Sequence, residues 1–462
     1  MNKSPSIPRI LIAGTGSGVG KTTTVLALSQ AFRRRGLKVS TFKCGPDYLD
    51  PTYHTLVAGV TCQNLDGWLM GREAVMQTFQ RASAGSDIAI IEGVMGLFDG
   101  ASPTGDAGSS AEIAKWLEAP VLIVLDARGM ARTIAPLALG LKNFDTDLDV
   151  SGVIANFVGT ENHREILRSA LGPFLPLVGG FPKSHEHSFP ERHLGLRSAH
   201  EAGIDDDKLA YWGDVCGTWF DLDRIWKIAS EKRYNPISSE SKIDRPKNSY
   251  KCRIGLAKDN AFHFYYEDNL RKLEMAGGEL IPFSPISDSK LPKIDGLYIG
   301  GGYPELFADA LSSNKSLLKE IYEFGMNGLP IYAECGGLMY LSEEIETLNG
   351  TSFSMVGLIP AKVKMHEKLQ ALGYTEVSIE ETSFLGPVGT RFRGHQFRYS
   401  NLEIKQHKNV KLLYRIRKRK GETTSSEGYS DRNVLGSYVH AHWASNPSIP
   451  ENFVAACARI SS

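Results

Sequence analysis

The chain lacks any excess of charge of one sign. Its 52 lysine and arginine residues balance 52 aspartate and glutamate residues among 462 in total. Overall electrostatics therefore do not indicate a nucleic acid or an anionic membrane as partner. A basic run at residues 415–420 does not change this interpretation, since most such runs are solvated surfaces.

Cysteine is scarce, and long apolar runs are missing. The six cysteines form neither a C-x-x-C pair nor a zinc-ligand spacing, which disfavours a disulfide framework and favours a reducing compartment. The amino terminus has no apolar signal core, and no apolar run approaches the length of a membrane span. We therefore expect a cytoplasmic protein without a membrane partner.

A glycine-rich loop lies between a predicted strand at residues 9–13 and a helical pattern that continues to about residue 35. This is the context of a P-loop, whose backbone N–H groups hold phosphates. Strict spacing puts Thr15 at the first glycine position of the motif, so an ordinary glycine-rich turn is the alternative. Lys21 would reach the terminal phosphates, and Thr22 would hold Mg²⁺. The residues expected to bind ATP here are Gly16, Gly18, Val19, Gly20, Lys21, Thr22 and Thr23.

Polar residues follow other predicted strands of the same half. Asp47 and Glu92 come after strands predicted at 39–43 and 87–91, where carboxylates are well placed to hold Mg²⁺ or its waters. For Asp50 and Asp99, turn capping explains the residue at least as well as chemistry does. Asn156 follows a strand predicted at 150–155 and is expected to contact adenine.

The alternation of strands and helices is interrupted once. Residues 231–251 are rich in serine, proline and charge, which predicts a linker. The expected organisation is a P-loop synthetase domain at 1–230 and a second domain at 252–462. The first domain is expected to be an α/β fold with a parallel sheet, and the second a separate α/β domain.

In the second domain, an apolar run at residues 329–334 stops at Cys335, and Gly336 then opens a helical segment. This pattern predicts a nucleophile elbow, in which backbone N–H groups lower the pKa of the thiol and receive an oxyanion. The alternative is a small buried hydrophobic residue, the commonest role of a free cysteine.

Two other segments favour the catalytic interpretation. Gly301 and Gly302 lie in a glycine-rich loop that, with Gly336, would supply the oxyanion-hole amides. His440 lies near a predicted strand end and is the expected base. Together these segments resemble a class I glutamine amidotransferase domain, which releases ammonia from glutamine. His442 stands where the usual triad has glutamate, so the third triad residue is open, and His442 itself is a competing base.

The P-loop, residues 43–51, 92–100 and 190–196 and the Cys335/His440 pair together resemble the cobyrinic acid a,c-diamide synthase family over nearly the whole chain. The resemblance implies an amino-terminal fold like dethiobiotin synthetase. It also implies a carbon–nitrogen ligase that uses ATP, Mg²⁺ and glutamine to amidate the a- and c-carboxylates of a corrin ring through acyl phosphates. Gln396 departs from the family pattern, in which glutamate is expected.

The resemblance also implies where the corrinoid polycarboxylate binds. The candidate contacts are Asp50, Asp99, Lys183, Arg192 and His193. Hydrogenobyrinic acid and nickel sirohydrochlorin are alternative acceptors. A homodimer is a reasonable expectation because dethiobiotin-synthetase-like folds often pair.

Two alternatives from other classes stay open. One is a regulatory P-loop ATPase with a non-catalytic glutaminase-like domain. Gly16, which stands where partitioning ATPases have lysine, and the intact Cys335/His440 pair argue against it. The other is a free-standing glutaminase with an inert amino-terminal half.

Overall fold

A computed structural model describes residues 7–184, 191–192, 195–196, 204, 206–232, 250–404, 410–418 and 424–459. The chain divides into two compact units, Met1–Glu240 and Ser241–Ser462. Most of the linker predicted at 231–251 lies outside the described residues. Each unit is an α/β structure, which confirms the predicted fold class.

The first unit is built on a parallel sheet of seven strands in the order β3-β2-β4-β1-β5-β6-β7. Every residue of β1, β2 and β4 is buried, as expected for parallel strands covered on both faces. The strands are β1 (Arg9–Gly14), β2 (Val39–Cys44), β3 (Gln63–Leu65), β4 (Ile88–Glu92), β5 (Val121–Asp126), β6 (Val150–Val158) and β7 (Leu177–Pro182), followed by the short pair β8 (Glu191–Arg192) and β9 (Gly195–Leu196).

The helices of this unit cross over between the strands. The core of the unit includes residues of α1 and the fully buried Trp212. The helices are α1 (Lys21–Arg34), α2 (Asp50–Ala58), α3 (Gly67–Met70), α4 (Arg72–Ala82), α5 (Ser110–Trp116), α6 (Ile134–Phe144), α7 (Glu161–Leu171), α8 (Asp206–Trp219) and α9 (Leu222–Glu231). Because β2, β4 and β1 are adjacent and parallel, their carboxyl ends meet at one edge of the sheet.

The second unit contains a sheet of ten strands and smaller sheets of four and two strands. The strands are β10 (Cys252–Ala257), β11 (Phe262–Phe264), β12 (Gly278–Phe283), β13 (Gly296–Ile299), β14 (Gly301–Gly302), β15 (Ile331–Glu334), β16 (Ser342–Glu346), β17 (Ser352–Ser354), β18 (Ile359–Met365), β19 (Ala371–Ile379), β20 (Arg391–Arg398), β21 (Ser400–Ile404), β22 (Lys411–Lys418), β23 (Thr424–Asp431), β24 (Val434–Ser437) and β25 (His440–His442).

The ten-stranded sheet has the order β12-β10-β13-β15-β24-β23-β22-β19-β20-β25. Its helices are α10 (Glu267–Ala276), α11 (Ala308–Ser313), α12 (Lys315–Met326), α13 (Gly336–Leu341) and α14 (Ser448–Ala458), with 3₁₀ turns at Pro304–Phe307 and Trp443–Ser445. Only Tyr438 and Val439 separate β24 from β25. The last strand of the sheet therefore begins next to the end of β24, which pairs with β15.

One predicted helix was too long at its start. Residues 264–275 predict a helix, whereas β11 occupies Phe262–Phe264 and the helix begins at Glu267. The chain here pairs with β14, so tertiary pairing overrides the helical pattern. In the part of the chain that the structure describes, no helix is both long and apolar enough to cross a membrane.

Candidate active site

The P-loop connects β1, which ends at Gly14, to α1, which begins at Lys21. Lys21 Nζ donates hydrogen bonds to the carbonyl of Gly16 (2.6 Å) and to that of Met95 after β4 (2.7 Å). Burial lowers the pKa of Lys21 to about 8, and the charge of Lys43 acts in the same direction. A phosphate at this loop would favour the charged form of the lysine.

A buried ionic cluster lies beside the P-loop, where β2 and β4 end. Glu92 Oε1 accepts hydrogen bonds from Lys43 Nζ (2.7 Å) and Thr22 Oγ1 (2.8 Å). Its other oxygen lies 2.5 Å from Nε2 of His54. Lys43 also donates to the carboxylate of Asp50. Strands β2 and β4 and helix α1 thus each contribute one side chain to the cluster, and helix α2 contributes two.

The charges of Lys43 and Glu92 stabilise each other. Burial by itself disfavours the ammonium of Lys43, but Asp50 and Glu92 raise its pKa well above the ordinary value. Burial likewise disfavours the Glu92 carboxylate, but Lys43 and His54 hold its pKa far below the usual range. Both groups therefore carry their charges at neutral pH, which creates a fixed polar environment next to the phosphate-binding loop.

Three of the predicted polar residues bind backbone groups. Asp47 Oδ1 accepts the N–H groups of Leu49 (2.8 Å) and Asp50 (3.1 Å), and its other oxygen lies 3.9 Å from Lys43 Nζ. Asp99 accepts the N–H of Gly96 within its own turn. Asn156 is buried and donates to the carbonyl of Val19 (2.8 Å). Asn156 thus braces the P-loop, while its contact with adenine stays a prediction.

The residues predicted to bind the substrate are not all described. Lys183 follows β7, and its backbone N–H donates to the carbonyl of Val158. Arg192 ends β8, which pairs with β9. His193 lies outside the described residues.

In the second unit, Cys335 stands between β15 and α13 with a strained backbone, φ 47° and ψ −101°. A positive φ is unfavourable for cysteine and persists where the surroundings enforce it. The Cys335 N–H donates to the carbonyl of Ser437 at the end of β24 (2.7 Å), and the thiol faces the carbonyl of Phe397 (3.8 Å). This is the strand–turn–helix geometry of a nucleophile elbow.

Burial reverses the expected effect of the elbow on the thiol. The pKa of Cys335 is raised to about 12 by burial and by Glu305, and the N–H of Gly336 only partly offsets this. The helix start lowers the thiol pKa as predicted, but burial outweighs this effect, so the thiol does not have a low pKa. Burial lowers the pKa of His440 to about 3. At neutral pH the thiol of Cys335 is therefore protonated, and the imidazole of His440 is neutral and able to accept a proton.

The predicted oxyanion loop touches both the elbow and the histidine. A Cβ atom built on Gly301 would lie 2.4 Å from Cε1 of His440, and one built on Gly336 would lie 3.0 Å from the backbone nitrogen of Gly302. Side chains at either glycine would collide with this arrangement. Gly301 therefore lies against His440, and Gly302 lies against the turn that carries Cys335 and Gly336, while the oxyanion role of their N–H groups stays a prediction.

His442 lies in a different environment from His440. Its Nδ1 accepts the N–H of Ala444 (3.3 Å), and its ring packs against Tyr266 with centroids 4.6 Å apart. Burial lowers its pKa to about 4. These contacts give His442 a packing role at the end of β25.

Sequence reasoning missed three polar residues of the two sites: Lys43, His54 and Glu334. Glu334 is buried, accepts hydrogen bonds from Tyr332 and Tyr298, and lies 4.0 Å from Nδ1 of His440. Lys43 and Glu334 did carry a signal, because a charged residue at the carboxyl end of a buried strand requires compensation. The only sequence signal for His54 was its spacing of four residues from Asp50 on α2.

Domain comparisons match both halves of the chain. A CobQ/CobB/MinD/ParA nucleotide binding domain matches residues 10–193, and a CobB/CobQ-like glutamine amidotransferase domain matches residues 253–448. The first unit is therefore a nucleotide-binding domain, and the second is a glutamine amidotransferase domain.

Curated relatives match along nearly the full length. The cobyrinate a,c-diamide synthase of Leptospira interrogans is 54% identical over 98% of this chain and 99% of its own. Enzymes of the same name from Syntrophotalea carbinolica and Picrophilus torridus are 44% and 42% identical, each over 98% of this chain and over 99% and 100% of their own chains. Because both domains match and the sequence identity extends over nearly the full length, the chain belongs to the cobyrinate a,c-diamide synthase family of glutamine amidotransferase ligases.

Proposed function

We propose that the chain amidates the a- and c-carboxylates of cobyrinic acid, using ATP and glutamine. The observation that carries this proposal is the presence in one chain of two complementary sites, a phosphate loop beside the charged Lys43–Glu92 cluster and a strained cysteine elbow in the glutaminase domain. A carboxylate resists attack by ammonia, so the first site activates it while the second releases ammonia. In this proposal residues 1–230 form the synthetase and residues 252–462 the glutaminase.

In the glutaminase half, the neutral imidazole of His440 takes the proton of the Cys335 thiol. The thiolate attacks the side-chain carboxamide carbon of glutamine, and N–H groups of Gly301, Gly302 and Gly336 stabilise the oxyanion. The imidazolium returns its proton to the leaving nitrogen, which departs as ammonia. Water then hydrolyses the glutamyl thioester, giving glutamate and the free thiol.

In the synthetase half, an oxygen of the corrinoid carboxylate attacks the terminal phosphorus of ATP. ADP leaves, and an acyl phosphate forms. Ammonia attacks its carbonyl carbon, and inorganic phosphate departs to leave the amide. Lys21 contributes positive charge at the terminal phosphates, and the Lys43 ammonium, fixed by Glu92 and Asp50, adds to it.

The residues present fit Mg²⁺. Thr22 Oγ1 and Glu92 Oε1 lie 2.8 Å apart, and Asp47 carries a half-exposed carboxylate next to the same cluster. Among the described residues no group of three or more His, Cys, Asp and Glu side chains is arranged to hold a metal. Mg²⁺ usually takes one or two protein oxygens together with phosphate oxygens and water, which suits this donor set. Bound there, Mg²⁺ would neutralise phosphate charge during the transfer.

The remaining assignments belong to the same proposal. Asp50, Asp99, Lys183, Arg192 and His193 stay candidates for contacts with the corrinoid, although Asp50 and Asp99 already make the contacts described above. We propose that the enzyme is cytoplasmic, because ATP and glutamine are available in the cytoplasm and Cys335 stays reduced there. A homodimer remains the expected assembly.

The test is mass spectrometry of cobyrinic acid after incubation with protein, ATP, Mg²⁺ and either glutamine or ammonium. Wild type should add two amides with either nitrogen source. Cys335→Ala should add two amides with ammonium and none with glutamine, because only the ammonia supply is removed. Lys21→Ala should add none with either source.

Other outcomes would revise the proposal. An unchanged acceptor mass under every condition, with ATP still hydrolysed, would overturn the corrinoid assignment and favour a regulatory ATPase. Parallel incubations with hydrogenobyrinic acid and nickel sirohydrochlorin would show which tetrapyrrole the enzyme amidates. Glutamine hydrolysis by Cys335→Ala at the wild-type rate would overturn the elbow as the glutaminase site.

A further inference from the structure

When His440 accepts a proton, its positive charge must be balanced by a nearby negative charge. Transfer from the thiol of Cys335 creates an imidazolium, and His440 is only 2% exposed. A buried cation without compensating charge is strongly unfavourable. The residue two positions further along the chain is His442, whose ring packs on Tyr266, so it supplies no carboxylate.

A carboxylate reaches His440 from a different strand. Glu334 is the last residue of β15, directly before Cys335, and its Oε2 lies 4.0 Å from Nδ1 of His440. Both side chains are almost completely buried, with 1% and 2% of their surfaces exposed. An opposite charge at this distance acts strongly where water is excluded.

The Glu334 carboxylate is held in place by three donors. Oε1 accepts the hydroxyl of Tyr332 (2.7 Å) and the backbone N–H of Ala441 (3.0 Å), and Oε2 accepts the hydroxyl of Tyr298 (3.1 Å). Ala441 follows His440 in β25, so the carboxylate also fixes the backbone beside the imidazole. Asn269 holds the other side of Ala441 by donating to its carbonyl (2.8 Å).

We propose that Glu334 is the positioning residue of His440, taking the role that a glutamate on the histidine's own strand plays in the usual triad. The geometry places its charge beside Nδ1, where it orients the imidazole and stabilises the imidazolium. The nucleophile and the orienting carboxylate are then consecutive residues at the end of β15. This inference rests on the proposed glutaminase function of Cys335 and His440.

The surroundings of Glu334 set how readily it ionises. Burial raises its pKa to about 7, while the Tyr332 hydroxyl, the Ala441 N–H and the Tyr298 hydroxyl act in the opposite direction. Among the described residues, the titratable groups that face it are Tyr265, Tyr298, Tyr332, Tyr414, Cys335 and His440. The ring of His440 in turn stacks on that of His395. Formation of the His440 imidazolium would favour the carboxylate further, so the two charges develop together.

The first experiment compares Glu334→Gln with wild type in glutamine hydrolysis. The amide side chain introduced by Glu334→Gln keeps the shape of the glutamate and one acceptor oxygen, but it carries no charge. We expect kcat to fall at least 100-fold with KM for glutamine changed less than threefold. Ammonium-dependent amidation and the melting temperature should stay close to the wild type. The matched control is Tyr332→Phe, which removes a hydrogen bond from the same carboxylate and keeps its charge, with an expected loss below tenfold.

A second measurement does not require Glu334 to be replaced. The double variant Tyr298→Phe/Tyr332→Phe removes two hydroxyl donors and thereby disfavours the ionised carboxylate. The acidic limb of the pH profile of kcat for glutamine hydrolysis should move to higher pH by at least 0.5 unit. An unmoved limb in this variant would overturn the proposal, even if Glu334→Gln fails to fold.

The outcomes separate this inference from the proposed function. Wild-type kcat in Glu334→Gln, or equal losses in Glu334→Gln and Tyr332→Phe, would mean that Glu334 only ties the strands together. If Cys335→Ala abolishes glutamine hydrolysis while Glu334→Gln retains it, only the positioning role fails. If Cys335→Ala retains it, the glutaminase assignment itself fails.

Discussion

Lys43 Nζ lies 2.7 Å from Glu92 Oε1, and the two side chains are 4% and 1% exposed. The pair joins neighbouring strands β2 and β4 at the edge of the sheet where the P-loop also ends. Such a buried pair depends on both partners, since removal of one leaves the other as an uncompensated buried charge.

Replacement of this lysine should affect stability and only one of the two activities. Lys43→Met leaves Glu92 and Asp50 without their cation. The free energy of unfolding should fall by about 3–5 kcal/mol, measured by urea titration. Amidation should be lost with glutamine and with ammonium, while glutamine hydrolysis persists. The control is Lys115→Met, at a more exposed pair with Asp106, where the expected loss is about 1 kcal/mol or less. A loss for Lys43→Met as small as that of the control would contradict this account.

The close approach of Gly301 to His440 gives a second prediction. The methyl group of Gly301→Ala would lie 2.4 Å from Cε1 of His440, so the imidazole must move. We expect glutamine hydrolysis to fall by about 100-fold or more, with ammonium-dependent amidation retained. Gly217→Ala is the control, since a Cβ there meets no atom within 4 Å, and it should leave both activities unchanged. Wild-type glutamine hydrolysis by Gly301→Ala would argue against a fixed loop at this position.

The high pKa of the Cys335 thiol is testable by alkylation. With a pKa of about 12, Cys335 is a thiolate in only about one molecule in ten thousand at pH 8. Iodoacetamide should therefore modify it at least 100-fold more slowly than it modifies glutathione. Peptide mass spectrometry separates Cys335 from the other five cysteines, all of which are buried. Rapid labelling whose pH dependence has a midpoint near pH 8.5 would show that burial does not control the pKa of this thiol.

Buried histidines make the protein sensitive to acid. Burial lowers the pKa of His440 to about 3 and that of His442 to about 4, whereas the unfolded chain binds these protons near pH 6.5. The unfolded state therefore gains protons first, and stability should fall as the pH decreases from about 6.5 to 4. Each histidine contributes up to about 1.4 kcal/mol per pH unit.

Unfolding in urea at pH 7, 6 and 5 measures this slope. His442→Gln should reduce it by about one proton, and His366→Gln, at a half-buried histidine, is the control that should keep most of it. Equal slopes in wild type and His442→Gln would mean that His442 is protonated in the folded state.

Much of the fold and part of each site were predictable from local sequence. The P-loop and the elbow each consist of consecutive residues whose spacing dictates a strand, a tight turn and a helix start. Gly20-Lys21-Thr22 and Cys335-Gly336-Gly337 therefore indicated their local geometry without the rest of the chain. The domain comparisons confirm the two fold classes that these motifs indicated.

Other features were not predictable because they depend on burial. The helix start at Gly336 led us to expect a lowered thiol pKa, but the amount of chain packed over Cys335 outweighs the local N–H groups. From the sequence we expected Asp47 to hold Mg²⁺, and turn capping explained Asp50 at least as well as chemistry did. Asp47 caps the chain before α2, and Asp50 faces Lys43 inside the cluster.

The sequence by itself determined which reactive groups this protein has, because phosphate loops and nucleophile elbows are made of adjacent residues. The tertiary structure decided what those groups touch. Glu92 meets Lys43 because β4 pairs with β2, and Glu334 meets His440 because the two residues that link β24 to β25 return the chain to the end of β15. Strand order brings charges together across 49 and 106 residues of sequence, and no local pattern encodes that order.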